Sequence, residues 1–196
     1  MSRSRKADPD AALNAALMLF WEHGFAGVGT RQIETDTGIT RFTLQTTYGG
    51  KLTLYLKALD AYLDMFETRA APNMTDGKLD TLAKWFERRA DPDHLSDFAG
   101  LGCMALNATV EFRMSQPQVT ARIQRFYAIV SGGFERALTA CVESGDLPPA
   151  FDCRAQAQLL MANAIGINMI IRAHADNTAC AEVATATATL IRSWAH

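Results

Sequence analysis

Thr37-Gly38-Ile39-Thr40-Arg41-Phe42-Thr43-Leu44 decides how this chain is read. Gly38 supplies the left-handed backbone conformation that a tight turn between two helices needs. Thr40 is a side chain suited to cap the helix that follows. The spacing predicts a short helix over residues 30–37, a turn at Gly38-Ile39, and a second short helix over residues 40–47. This is the frame of a helix-turn-helix. Ile33, Ile39 and Leu44 fall where the two helices meet the preceding one and set their crossing. Arg41, Phe42, Thr43, Gln45 and Thr46 are then left along the front of the second helix. Arg can bridge guanine O6 and N7, Gln can bridge adenine N6 and N7, and Thr can meet a thymine methyl or a phosphate. Tyr48 and Lys51 follow at the start of the next helix, where free amides and a cation together suit a phosphate. With Arg31 and Thr40 they complete the candidate DNA-contacting set.

The flanking segments support this frame. Asp8-Pro9 reads as a helix start, with Leu13, Ala16, Leu17 and Phe20 as an apolar stripe at helical spacing. Gly24 ends that helix, and Phe25 plugs the core behind it. A long helix is expected over residues 51–69, with Leu52, Tyr55, Leu56, Leu59, Leu63 and Phe66 on one face. The stretch Ala71-Pro72-Asn73-Met74-Thr75-Asp76-Gly77 breaks the pattern. Further helices are expected near residues 78–89, 97–113, 117–144, 153–174 and 177–195, with Pro117 and Asp152 as starts and Gly145 as a stop. No alternating strand-like runs occur, so the fold class is all-α, with about nine helices. The expected organisation is a helix-turn-helix domain over residues 1–50, a connecting helix over 51–70, and a larger regulatory and dimerisation domain over 71–196.

Bulk properties bound the function. The 196 residues are 48% hydrophobic with a formal net charge of -2. That permits a large core and a site-limited DNA binder, and it argues against a protein that coats nucleic acid over its whole surface. Arg3, Arg5 and Lys6 form a basic cluster ahead of the first helix, suited either to phosphate contacts or to an ordinary solvated terminus. Cys103, Cys141, Cys153 and Cys180 have neither metal-ligand nor redox-motif spacing, and His23, His94, His174 and His196 are scattered. No Ser-His-Asp set, paired catalytic carboxylates, phosphate loop or metal motif is present, so neither an enzyme nor a cofactor is expected. No apolar run has the roughly 18 residues of a membrane span, so a cytoplasmic, membrane-free protein is expected.

Residues 10–60 resemble the DNA-binding domain of the TetR family of repressors. The matching stretches are Ala-Leu-Met-Leu-Phe-Trp-Glu-His-Gly-Phe at 16–25, the octet quoted above at 37–44, and Tyr-Gly-Gly-Lys at 48–51. Glu34 stands where a small residue is usual, so its stem must bend outward. Gly50 stands at a usual capping position and caps more weakly than Ser or Asp. The resemblance implies a dimeric, ligand-responsive repressor. Two copies of the reading helix would meet successive major grooves of a near-palindromic double-stranded operator, about 34–36 Å apart.

The resemblance also assigns an inducer site and a dimer interface to the later helices. Trp85, Phe86, Phe126, Tyr127 and Met161 are apolar candidates from a stock that also includes Phe98, and Cys103, Asn107, Glu111 and Asn168 are polar ones. The same residues also suit plain core packing and helix–helix hydrogen bonds. Gly102-Cys103 with Asn107 and Glu111 is similar to a Gly-Cys-x-x-x-Asn-x-x-x-Glu pattern in one TetR subgroup, some members of which respond to reactive electrophiles. A thiol sensor at Cys103 is therefore one alternative, and an inert buried thiol is the other. The small residues of the last two helices, among them Ala162, Gly166, Ala184 and Ala188, suit a four-helix homodimer interface. A helical ligand-binding bundle that never touches DNA remains the competing function.

Overall fold

The computed structural model describes residues 9–91 and 100–195, and among these every regular element is a helix. The order is α1 (Pro9–Gly27), α2 (Thr30–Thr37), α3 (Arg41–Thr46), α4 (Lys51–Arg69), α5 (Leu79–Glu87), α6 (Met104–Phe112), α7 (Pro117–Ser144), α8 (Cys153–His174) and α9 (Ala181–Arg192). Short 3-10 turns at Asn177–Cys180 and Ser193–Ala195 flank α9. The basic cluster at residues 3–6, the Asp8 cap, His94, Phe98 and His196 lie outside the described residues.

The backbone divides into two compact units. The first is the chain up to Phe66 together with Met104–Gln124, and the second is Glu67–Cys103 together with Arg125 onward.

The first unit is built on aromatic rings. Phe20 meets Tyr55 edge-on at 5.2 Å, Phe25 meets Tyr55 at 5.3 Å, and Phe112 of α6 sits 5.2 Å from Phe25 and 5.3 Å from Tyr55. Trp21 meets Tyr62 edge-on at 4.9 Å. Such pairs contribute about 0.5–1.5 kcal/mol each beyond the area they bury. The helical path of α1 is broken at Gly24 (φ 72, ψ 174), as its glycine led one to expect. On α4 the buried apolar face holds Leu54, Tyr55, Leu56, Leu59, Leu63 and Phe66, whereas Leu52 is only half-buried. Arg122 near the start of α7 donates to Asp60 of α4 at 2.6 Å.

In the second unit α9 packs along α5 and α8. Phe86 stacks on Phe134 at 5.6 Å, and Trp85 meets both rings edge-on. No side chain of its own caps α5; the Leu79 amide instead donates to Asp146 Oδ2 at 2.7 Å. Gly145 (φ 84) stops α7 and the Asp152 carboxylate accepts from the Ala155 amide at 3.0 Å to start α8, both where the sequence placed them. Within α9, Thr187 is buried and spends its hydroxyl on the Val183 carbonyl at 2.8 Å.

One helix starts later than expected. The periodicity predicts a helix from about residue 97, but among the described residues it begins at Met104. Gly100 (φ 84) and Gly102 (φ 65) hold the preceding chain in left-handed conformations. A Cβ on Gly100 would stand 2.4 Å from the Ala175 carbonyl oxygen, so the backbone there passes too close to the end of α8 for any side chain.

Candidate nucleic-acid interface

The helix-turn-helix is locked by short-range chemistry. Gly38 (φ 71) turns the chain out of α2, and its amide donates to the Glu34 carbonyl at 3.1 Å. Thr37 is buried; its hydroxyl donates to the Ile33 carbonyl at 2.6 Å and accepts from the Ile39 amide at 3.1 Å. That hydroxyl satisfies a turn amide that would otherwise be buried without a partner. Thr40 caps α3 by accepting from the Thr43 amide at 3.1 Å. Ile33, Ile39 and Leu44 are all buried, and the Glu34 stem is exposed, as its size requires.

This leaves one face of α3 outward. Arg41, Phe42, Gln45 and Thr46 are exposed, and Thr43 is half-buried. Phe42 is 76% exposed, the most exposed large hydrophobic residue among those described. Arg31 of α2 and Thr40 are exposed as well, and Tyr48 is half-buried. Gln45 is drawn back toward the following turn, where a Cβ on Gly50 (φ 104) would stand 3.7 Å from its Oε1. Lys51, at the first position of α4, lays its ammonium 4.3 Å above the Phe25 ring. Burial lowers the Lys51 pKa, and the nearby Glu111 carboxylate offsets part of that. Burial, reinforced by Glu111, pushes the Tyr55 phenol well above its ordinary value.

Glu111 has a partner that sequence reasoning did not identify. Its two oxygens accept from the Phe25 and Ala26 amides at 2.9 and 2.6 Å. The break at Gly24 frees those amides, and a negative charge is the natural occupant of such a backbone concavity. The available signal was the glycine itself, which opens a short new helical turn at Phe25. Nothing in the sequence pairs the Phe25 amide with an acid 86 positions away.

The remaining candidates fall as follows. Trp85, Phe86, Phe126, Tyr127, Met161, Asn168 and Cys103 belong to the second unit, and Asn107 and Glu111 to the first. Phe86, Phe126, Met161 and Cys103 are buried, with Cys103 2% exposed, while Asn107 is half-buried. The Trp85 indole donates to the Ala70 carbonyl at 3.2 Å, and the Arg89 guanidinium lies 4.2 Å over its ring. Phe126 and Tyr127 meet edge-on at 5.8 Å. The Asn168 amide donates to the Ala164 carbonyl of its own helix at 2.8 Å. Among the described residues, no group of His, Cys, Asp and Glu has the geometry to hold a metal, and no helix is long and apolar enough to cross a membrane.

Comparison with known proteins supplies the family. A family model described as the C-terminal domain of tetracyclin repressor-like proteins matches residues 79–187, more than half of the chain. The HTH-type transcriptional repressor ComR of Escherichia coli is 24% identical over 98% of this chain and 91% of its own length. A TetR family transcriptional regulator from Cytophaga hutchinsonii superposes with a TM-score of 0.81 at 16% identity, covering 98% of both chains. A cysteine mutant of the TetR family regulator CifR, solved with a 26 bp double-strand operator DNA, superposes with a TM-score of 0.76 at 20% identity over 98% of this chain and all of that one. At those identities the two structures establish a shared fold. Together with the family match and the helix-turn-helix described above, they place the chain in the TetR family of DNA-binding transcriptional regulators.

Proposed function

We propose that this protein is a ligand-responsive repressor that binds a near-palindromic operator as a homodimer and reads it with α3. The observation that carries this reading is the outward front of α3. Leu44 anchors the helix and Thr40 caps it, while Arg41 and Phe42 are exposed and Gln45 and Thr46 stand beside them. Buried anchoring with an exposed, chemically mixed front suits insertion into a major groove, where base edges offer both polar and apolar groups. CifR is a TetR family transcriptional regulator solved on operator DNA and ComR is a transcriptional repressor, and these relatives support the reading. In this reading residues 1–50 read DNA, helix 51–70 connects, and residues 71–196 regulate and dimerise. Tyr48 and Lys51 position the phosphate backbone. The Lys51 side chain is held over Phe25, so its charge is presented from a restricted set of conformations.

Dimerisation is assigned to α8 and α9. Leu159 and Leu190 are 42% and 38% exposed there, beside the exposed small residues Ala162 and Ala186. Exposed leucines among small residues suit close helix approach between two copies. The inducer would be a small molecule taken up among the aromatic residues of the second unit and acting by favouring a spacing the duplex cannot accept. Cys103 is read as an inert core thiol, because a side chain 2% exposed presents little surface to an electrophile.

The test is duplex binding as a function of salt, using a sequence selected from random DNA. A repressor of this kind loses affinity steeply as salt rises. A flat salt response, or a species that stays monomeric with and without DNA, would reject the proposal in favour of a helical bundle without DNA function.

A further inference from the structure

Most polar side chains along the front of α3 are already engaged. The hydroxyls of Thr40 and Thr43 bond one another at 3.0 Å, and Thr40 also caps the helix. The Thr46 hydroxyl donates to the Phe42 carbonyl at 2.9 Å. Gln45 lies over the Gly50 turn. What the helix projects, beyond the Arg41 guanidinium, is the phenyl ring of Phe42, 76% exposed. Helix α3 is six residues long, and Leu44 already supplies its buried anchor, so the ring contributes little to packing within the chain. Its apolar surface is available to a partner.

A major groove offers one substantial apolar group, the 5-methyl of thymine; the other base edges there present acceptors or an amino donor. A phenyl ring pressed onto cytosine or a purine would strip water from a polar group without replacing its hydrogen bond. Resting on the reading of α3 as the DNA-reading helix, we propose that Phe42 is a specificity-determining residue that selects thymine by packing on its methyl group. Arg41 beside it takes a neighbouring base or phosphate, so one residue pair combines an apolar and a cationic contact within a single helical turn.

The experiment uses the full chain and a duplex selected from random DNA. Each thymine is replaced in turn by deoxyuridine, which removes the methyl and leaves Watson–Crick pairing unchanged. At one position per half-site the Kd is expected to rise roughly fourfold, the ratio that follows from burying one methyl-sized group. Phe42→Ala should bind the parent duplex more weakly and lose sensitivity to that swap, while Phe42→Leu should keep it. Because the ring is exposed, Phe42→Ala should melt at the temperature of the parent. Two results would overturn the proposal while leaving α3 as the reading helix: tight binding that no swap weakens by more than about 1.5-fold, or full methyl sensitivity retained in Phe42→Ala. Failure to enrich any duplex above non-specific binding would overturn the reading of α3, and the Phe42 proposal with it.

Discussion

Replacing Glu111 by alanine tests how the first unit is held together. Its carboxylate accepts from two backbone amides, Phe25 at 2.9 Å and Ala26 at 2.6 Å. The Ala26 amide is exposed and water can replace its partner, so most of the loss falls on the part-buried Phe25 amide. A hydrogen bond to a charged group contributes about 1.5–3 kcal/mol, which gives a cost of about 2 kcal/mol for Glu111→Ala at this partly exposed site. For a chain of this size that corresponds to a fall in melting temperature of roughly 4–8 °C. The assay is a circular-dichroism melt at fixed protomer concentration, because self-association shifts the apparent midpoint. Glu111→Gln keeps an acceptor but loses the charge, so it should fall between the alanine variant and the parent. A Glu111→Ala midpoint within about 1 °C of the parent would refute the reasoning and show that water serves the Phe25 amide equally well.

Four further outcomes are expected. Gly100→Ala should destabilise the second unit by several times the ~1 kcal/mol of left-handed strain alone, because its Cβ would stand 2.4 Å from the Ala175 carbonyl oxygen; a melt with little change would exclude that close approach. Hydrogen bonds hold two carboxylates below their ordinary pKa values, Asp80 through Lys84 first and Arg192 second, and Glu87 through Arg192, which donates at 2.9 Å to Asp80 and 2.6 Å to Glu87. Depressed acid pKa values stabilise the fold above the ordinary carboxylate range, and that contribution is lost as pH falls through the depressed values. Arg192→Ala should therefore flatten the loss of stability in denaturant melts below about pH 4.5; an unchanged slope would remove the pair from the acid response. Native-state alkylation near pH 8 should label the half-exposed Cys153 well before Cys103, Cys141 or Cys180, since burial and nearby Asp146 and Asp76 also push the Cys141 thiol to about 11; early modification of Cys103 by mass shift would reopen the sensor reading. Arg41→Ala should weaken binding to a selected duplex by at least about 1 kcal/mol, and equal affinity would remove Arg41 from the reading set.

What was legible in the sequence was what local chemistry dictates. Gly38, Thr37 and Thr40 act within a few residues of themselves, so the helix-turn-helix follows from their order alone. Pro117, Gly145 and Asp152 mark helix ends in the same way, and α7 and α8 lie where those residues put them. Contacts between distant segments were not legible. The close approach of Gly100 to the Ala175 carbonyl joins positions 75 apart in the chain. The Glu111 carboxylate looked like one polar group on a helix face because its partners are amides, which every residue carries. That the exposed Gln45 amide lies near the Gly50 turn was likewise not legible, because the turn's path is set by two consecutive glycines. On α4, burial of Leu54 rather than Leu52 is a shift of two positions that periodicity leaves undecided.

The first unit is discontinuous in the chain, and that bears on how it is made. Phe20, Phe25 and Tyr55 leave the ribosome early, but the ring that packs against both of the latter two, Phe112, belongs to α6. A nascent chain ending at Phe66 lacks that ring, the acid for the Phe25 and Ala26 amides, and the arginine that holds Asp60. At elongation rates of about 5–20 residues per second, it waits roughly 3–12 s for the stretch through Gln124. Products truncated before that stretch should therefore be substrates for proteolysis rather than competent competitors of the finished protein.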